Sequence, residues 1–313
     1  MEMPSAFPPR GAQPAPVVLA VLVLAALLLP ACSADRDPGG APSVVATTGV
    51  AADITRQLAG PGVEVSQLVP DGSSPHNYSA SARERGELDE ADLVVYFSTA
   101  LEQGLPIEDA RRSFAFADHA AELRSFADDE LESGIDPHLW LDPTQITAAL
   151  PALADALAQV DPGGADGYRR RAAAYAARLS RLDGELERMV ASIPPDSRKL
   201  VTSHDSMGYF ADRYGFEFVG APFGAAPEAA ASAGELGELI EQVADAEAVA
   251  GAGVPAIFAQ EGDDPEILRQ VAAEAGVEVV DDLRVTDLGA SESYIEMMRF
   301  TTARITEALG GRT

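Results

Sequence analysis

From Val44 onward, short runs of β-branched and apolar residues alternate with longer stretches in which apolar positions recur every three or four residues. The short runs predict strands at residues 44–48, 63–69, 92–97, 199–202, 216–219, 254–259 and 277–280. The longer stretches predict helices at 80–90, 144–160, 206–214, 234–250, 265–275 and 292–309. Such alternation argues for an α/β fold, because parallel strands need crossover connections and the crossover helices cover the sheet faces.

The middle of the chain departs from this rhythm. Tyr168, Ala172, Tyr175, Leu179, Leu182, Leu186 and Met189 step by fours and threes, with arginines at 169, 170, 171, 178, 181 and 188 between them. That stripe predicts one amphipathic helix about 40 Å long. A coiled-coil seam has the same rhythm. Flanking α/β segments on both sides favour a rigid strut joining two lobes, and Pro194 and Pro195 stop it. The organisation that follows is an α/β lobe at 44–161, a connecting helix at 162–195 and a second α/β lobe at 196–313.

The segment before Val44 is of another kind. An unbroken apolar run at 17–29, too short for an ordinary spanning helix, follows Arg10 and leads into Leu29-Pro30-Ala31-Cys32. Residues 1–32 therefore read as a lipoprotein signal segment ending at Cys32, the only cysteine, which is the expected site of lipid attachment. Residues 33–43, rich in Gly, Pro and Asp, read as a flexible tether. The implied location is extracytoplasmic, anchored to the outer face of the cell membrane.

Charge narrows the partners. Fifty acidic against 22 basic residues give a formal net charge of −28, which disfavours nucleic acid and suits a protein that meets cations.

Only four histidines occur, and three share a setting. His76, in "SSPHNYSA", lies between a predicted strand and a helix. His204, in "VTSHDSMGYF", follows the strand ending at residue 202. His138, in "GIDPHLWLDP", precedes Asp142-Pro143, a helix cap followed by proline at the first helical position. In open parallel sheets such loops gather at the carboxyl ends of the strands, where ligands bind. Three imidazoles converging there would make a site for zinc, completed by a fourth donor. Spacing alone does not establish this, since gaps of 62 and 66 residues match no short metal motif, and a single histidine is more often structural.

The surrounding text is more specific. "SPHNY", "DPHLWLDP" and "TSHDSMGYFADRYG" resemble, in order and context, the three histidine motifs of the zinc and manganese solute-binding proteins of bacterial ABC importers. The resemblance extends through "APEAAASAGELGELIEQV", "VPAIFAQE" and "YIEMMR". It implies two pseudo-symmetric lobes, a long connecting helix and a buried metal between the lobes, delivered to a membrane permease. It also implies that His76, His138 and His204 are the imidazole ligands. Trp140 is expected to be packing.

The family's fourth ligand is a carboxylate shortly before Leu-Gly in a loop of the second lobe. Here "RVTDLGASESYIEMM" puts Thr286 in that slot in an ungapped match and Asp287 one step later, so Asp287 is the expected ligand with a one-residue shift. Asp281, Asp282 and Glu261 are the fallbacks. Many zinc receptors of the family carry a histidine-rich loop before the second motif, whereas residues 118–136 hold seven acids, one arginine and only His119. His119 is thus a poor candidate for the primary site.

Three imidazoles and one carboxylate suit Zn2+, with Mn2+ as the alternative. Because coordination needs neutral imidazole, affinity is expected to fall as pH drops through the histidine range. A zinc hydrolase is a competing reading, but no H-E-x-x-H occurs. The adjacent Ser203, His204 and Asp205 do not make a triad, since sequence neighbours rarely converge on one another. A surface adhesin has no independent support, since the chain lacks internal repeats. The expectation is a monomeric metal receptor that works with an ABC transporter permease and is not an enzyme.

Overall fold

The computed structural model describes residues 40–126, 134–222, 256–261 and 266–313, with Gly234, Gly237 and Ile240 singly between them. The leader with Cys32, most of the predicted helix at 234–250 and part of the acidic stretch 118–136 lie outside the described residues.

Two groups of parallel strands form. In the N-terminal half, β1 (Ser43–Ala46), β2 (Glu64–Gln67), β3 (Leu93–Tyr96) and β4 (Ser113–Ala115) make one sheet in the order β2-β1-β3-β4. Its registers run without a break, for example Val45 opposite Ser66 and Val94. In the C-terminal half, β5 (Lys199–Val201) pairs with β6 (Glu217–Gly220), and β7 (Ala256–Gln260) with β8 (Glu278–Leu283). A single parallel bridge, Thr202 to Phe258, joins the two pairs.

The predicted strands are all present, offset by a few residues at their ends. Two elements escape the pattern. Helix α1 (Gly49–Ala59) buries most of its residues, Val50, Ala51, Ala52, Ile54, Thr55 and Leu58 included, and leaves only Arg56 exposed with Gln57 half-buried beside it. The three-residue β4 is too short to alternate.

Two further helices start where side chains replace missing backbone partners. Helix α2 (Ala82–Glu90) opens with a reciprocal capping box between Ser81 and Glu84. Helix α3 (Pro143–Val160) has Asp142 as its cap, accepting from Thr144 N at 2.8 Å, with proline at its first position.

Helix α4 (Ala165–Ala191) is the predicted long helix of 27 residues. Its buried stripe is Tyr168, Ala172, Tyr175, Leu179, Leu182, Leu186 and Val190, so the inward face shifts by one residue at its end. It packs on α1, α3 and the last helix, α7 (Tyr294–Ala308), rather than in a coiled-coil seam. One continuous hydrophobic cluster consequently runs from Val44 and Val95 in the first sheet, along α4, to Val280 and Ile305. Helices α5 (Gly208–Tyr214) and α6 (Glu266–Ala275) complete the C-terminal half. No helix among the described residues is long and apolar enough to cross a membrane.

Candidate metal centre

Each half sends a loop from the carboxyl end of its strands to one place. His76 comes from the loop after β2, His204 follows β5, and His138 stands in front of a 3-10 turn, Leu139–Leu141, that leads into α3. The ligand atoms of these three histidines all lie within 4.8 Å of one another. His76 Nε2 and His138 Nε2 are 3.2 Å apart. Two nitrogens on one tetrahedral zinc, each at 2.0–2.1 Å, stand about 3.3 Å apart, so this pair already has the required separation.

The site is dry. His138 and His204 are buried, and His76 is partly so. Burial, reinforced by the charge of His138, lowers the pKa of His76 to about 3. The same causes, with His76 added, hold His204 well below its ordinary value. Both imidazoles are therefore neutral, the form that donates a lone pair to a cation.

Each of the two buried histidines has a partner beside its ring. The fully buried Asp136 accepts from the His138 backbone N at 3.0 Å and stands 2.8 Å from His138 Nδ1. A carboxylate there favours a proton on Nδ1 and leaves Nε2 bare toward His76. Behind His204 the partner is neutral: the Gln260 carboxamide lies 2.5 Å from His204 Nδ1. The turn at His204 is closed by Thr202 Oγ1 and Ser206 N, both donating to the His204 carbonyl at 2.8 Å.

Asp287 stands outside the histidine cluster. Its Oδ1 accepts from Gly289 N at 2.8 Å and its Oδ2 from Gly72 N at 2.7 Å, in the loop that carries His76. Gly289 has φ of 52°, a left-handed conformation that favours glycine, which lets the chain fold back onto the Asp287 carboxylate. The fallback acids are engaged elsewhere: Asp281 with Arg269, Asp282 with Arg304 and Glu261 with Arg284. His119 stacks on Phe114 at 5.0 Å, away from the cluster.

Two residues do more than their sequence setting announces. Trp140 is not packing alone, because its indole N–H donates to Val285 O across the halves at 2.6 Å. Tyr294 returns the link by donating its hydroxyl to the Trp140 carbonyl. The loop bearing Asp287 is thus tied to the segment bearing His138. Asp136 had a signal in the sequence, the aspartate of "DPH", but its role depends on a turn that the text does not reveal.

Comparison with known proteins places this geometry. The family model described as zinc-uptake complex component A, periplasmic (ZnuA), matches residues 44–308. The zinc-binding protein TroA of Treponema pallidum is 30% identical over 88% of this chain and 92% of its own length. The manganese-binding lipoprotein MntA of Halalkalibacterium halodurans is 24% identical over 89% and 93%. The solved structure of periplasmic zinc-binding TroA superposes with a TM-score of 0.78 at 27% identity, covering 87% of this chain and all of that one.

Proposed function

The chain belongs to this family of metal-binding solute-binding proteins, and on that premise we propose that it is an extracytoplasmic receptor that captures Zn2+ and hands it to an ABC importer permease. The observation that carries the metal is the convergence of three imidazoles, those of His76 and His204 kept from protonating by burial, with two Nε2 atoms already at the spacing of zinc ligands. An all-nitrogen trio is a donor set that suits zinc better than manganese. Relatives that bind zinc and manganese support the ion-receptor role and leave the choice of ion to the donor atoms.

In this reading the metal is cargo. His76, His138 and His204 hold it, and Asp287 supplies the fourth donor by exchanging its hydrogen bond to Gly72 N for the ion. The loop bearing Asp287 belongs to the C-terminal half while Gly72 belongs to the N-terminal half, so that exchange would register ion capture at the junction between two lobes. Release would then require the permease to disturb this loop. Residues 44–161 and 196–313 act as the two lobes and 162–195 as their rigid connection. The protein works as a receptor rather than an enzyme, as a monomer, tethered through a lipid on Cys32.

The test is competition of Zn2+ and Mn2+ with a chromophoric chelator on the full chain. One-to-one zinc binding that is lost in His138→Ala and weakened in Asp287→Asn is the expected result. A preference for manganese overturns the metal, unchanged affinity in Asp287→Asn removes that residue from the site, and binding of neither ion overturns the site.

A further inference from the structure

Within residues 118–136, among seven acids, stands one basic residue, Arg124. Its guanidinium does not serve the solvated face that such charge patterning suggests. Nη1 donates to Asp136 Oδ2 at 3.1 Å, and Nε donates to Asp212 Oδ2 on α5 at 2.9 Å. Asp136 is the carboxylate behind His138, and α5 is the helix that follows the His204 turn. The Arg124 backbone is fixed on both sides, its N donating to Tyr209 Oη at 2.8 Å and its carbonyl accepting from Asp136 N at 2.9 Å.

The seat for this side chain is specific. A Cβ built on Gly208, the first residue of α5, would collide with the Arg124 guanidinium. Gly208 does not have a positive φ, so what it supplies is space rather than backbone freedom. Asp136, Asp212 and Asp205 all act on the guanidinium with opposite charge, and Asp205 directly follows His204.

We propose that Arg124 is a positioning residue for metal capture, a bolt that orients His138 through Asp136 and fastens it to the α5 segment beside His204. The proposal rests on the three-histidine reading of the site. A fully buried carboxylate needs a countercharge, and Arg124 supplies it while its other nitrogen engages the opposite half. The planar fork of arginine presents Nε and Nη1 to the two carboxylates from separate, fixed positions, whereas an ammonium is a single point charge on a flexible stem. Ligands from both halves are thereby presented to one ion in a fixed relation.

The experiment uses the full chain as Arg124→Met, Arg124→Lys, Gly208→Ala and Asp212→Asn. Two quantities are read: Zn2+ affinity by chelator competition, and the 15N tautomer signature of His138 in metal-free protein. Arg124→Met is expected to weaken zinc by about 10- to 100-fold, the range for lost outer partners of metal ligands, and to shift the His138 signature away from Nδ1–H. Arg124→Lys should recover only part of both, and Gly208→Ala should move both in the same direction by displacing the guanidinium. Should Arg124→Met not fold, Gly208→Ala and Asp212→Asn decide.

A lowered unfolding midpoint with unchanged affinity and an unchanged His138 signature makes Arg124 merely structural and overturns the proposal. If the unaltered chain binds no zinc, it is the three-histidine reading that fails. The His138 signature in the variants still decides whether Arg124 orients that ring.

Discussion

The two halves reach the same centre by different means. In the N-terminal half four strands pair in unbroken register, and its buried ligand His138 is backed by a charged pair, Asp136 and Arg124. In the C-terminal half the register shifts between Leu200 and Val201 and again between Phe258 and Gln260, next to His204 and its partner. There the backing group is a neutral carboxamide, and a single bridge joins the two strand pairs. An irregular ladder re-aims side chains at the end of a strand, which is where a ligand loop needs freedom. One half therefore backs its histidine with charge on a regular sheet, and the other with a neutral amide on an irregular one.

The contrast is sharpest for the ligands themselves. His138→Ala and His204→Ala should each weaken zinc by more than about 100-fold, beyond the range for outer partners, as read by chelator competition. A change smaller than about threefold in either would remove that residue from the site. One step out the halves should separate: Asp136→Asn is expected near the upper end of a roughly 10- to 100-fold loss and Gln260→Leu near the lower. Equal losses would erase the distinction between charged and neutral backing.

The shared core makes the opposite demand, that the halves unfold together. Leu182, fully buried on α4, lies in the cluster common to both, so Leu182→Ala should cost about 2–5 kcal/mol in denaturant unfolding. One transition is expected, and two separated transitions would mean that the halves are energetically independent.

Acid should act through the imidazoles. The unfolded chain protonates His76 and His204 below about pH 6.5, whereas burial keeps the folded His76 neutral down to about 3 and holds His204 well below its ordinary value. The unfolded state then binds more protons, so stability of the metal-free protein falls as pH drops from 6.5 toward 3. His76→Gln should flatten that slope in unfolding curves between about pH 7 and pH 5, and an unchanged slope would exclude His76 as a source. Burial also moves proton competition at these two rings below the histidine range that sequence alone suggests.

The smallest effect is expected at the junction. Trp140→Phe keeps an aromatic ring, though a smaller one, and removes the donor to Val285 O, the carbonyl left without its partner accounting for about 1–3 kcal/mol. No loss of stability would show that this tie between the halves contributes nothing measurable.

Much of this was legible in the residues. Periodicity delivered the strands and the long helix, because a strand or an amphipathic helix repeats its burial every two or every 3.6 residues. The motifs around His76, His138 and His204 singled out the three histidines that converge, because a loop that places a side chain carries its caps and prolines with it. Helix α1 stayed hidden, since it is short and only Arg56 of it is exposed. Asp287 was named from its place before Leu288-Gly289, but its hydrogen bond to Gly72, 215 residues away, left no trace in the sequence.

What the sequence determined by itself is therefore local: the elements, their caps and the three histidine loops. What only the tertiary structure decided is which groups stand behind those histidines. Asp136, Arg124 and Gln260 owe their roles to turns and to contacts across the chain, and Trp140 owes its cross-link to Val285, 145 residues away. Such pairings join positions remote in sequence, so they leave no period or spacing to read, and they exist only once the core along α4 has brought the halves together.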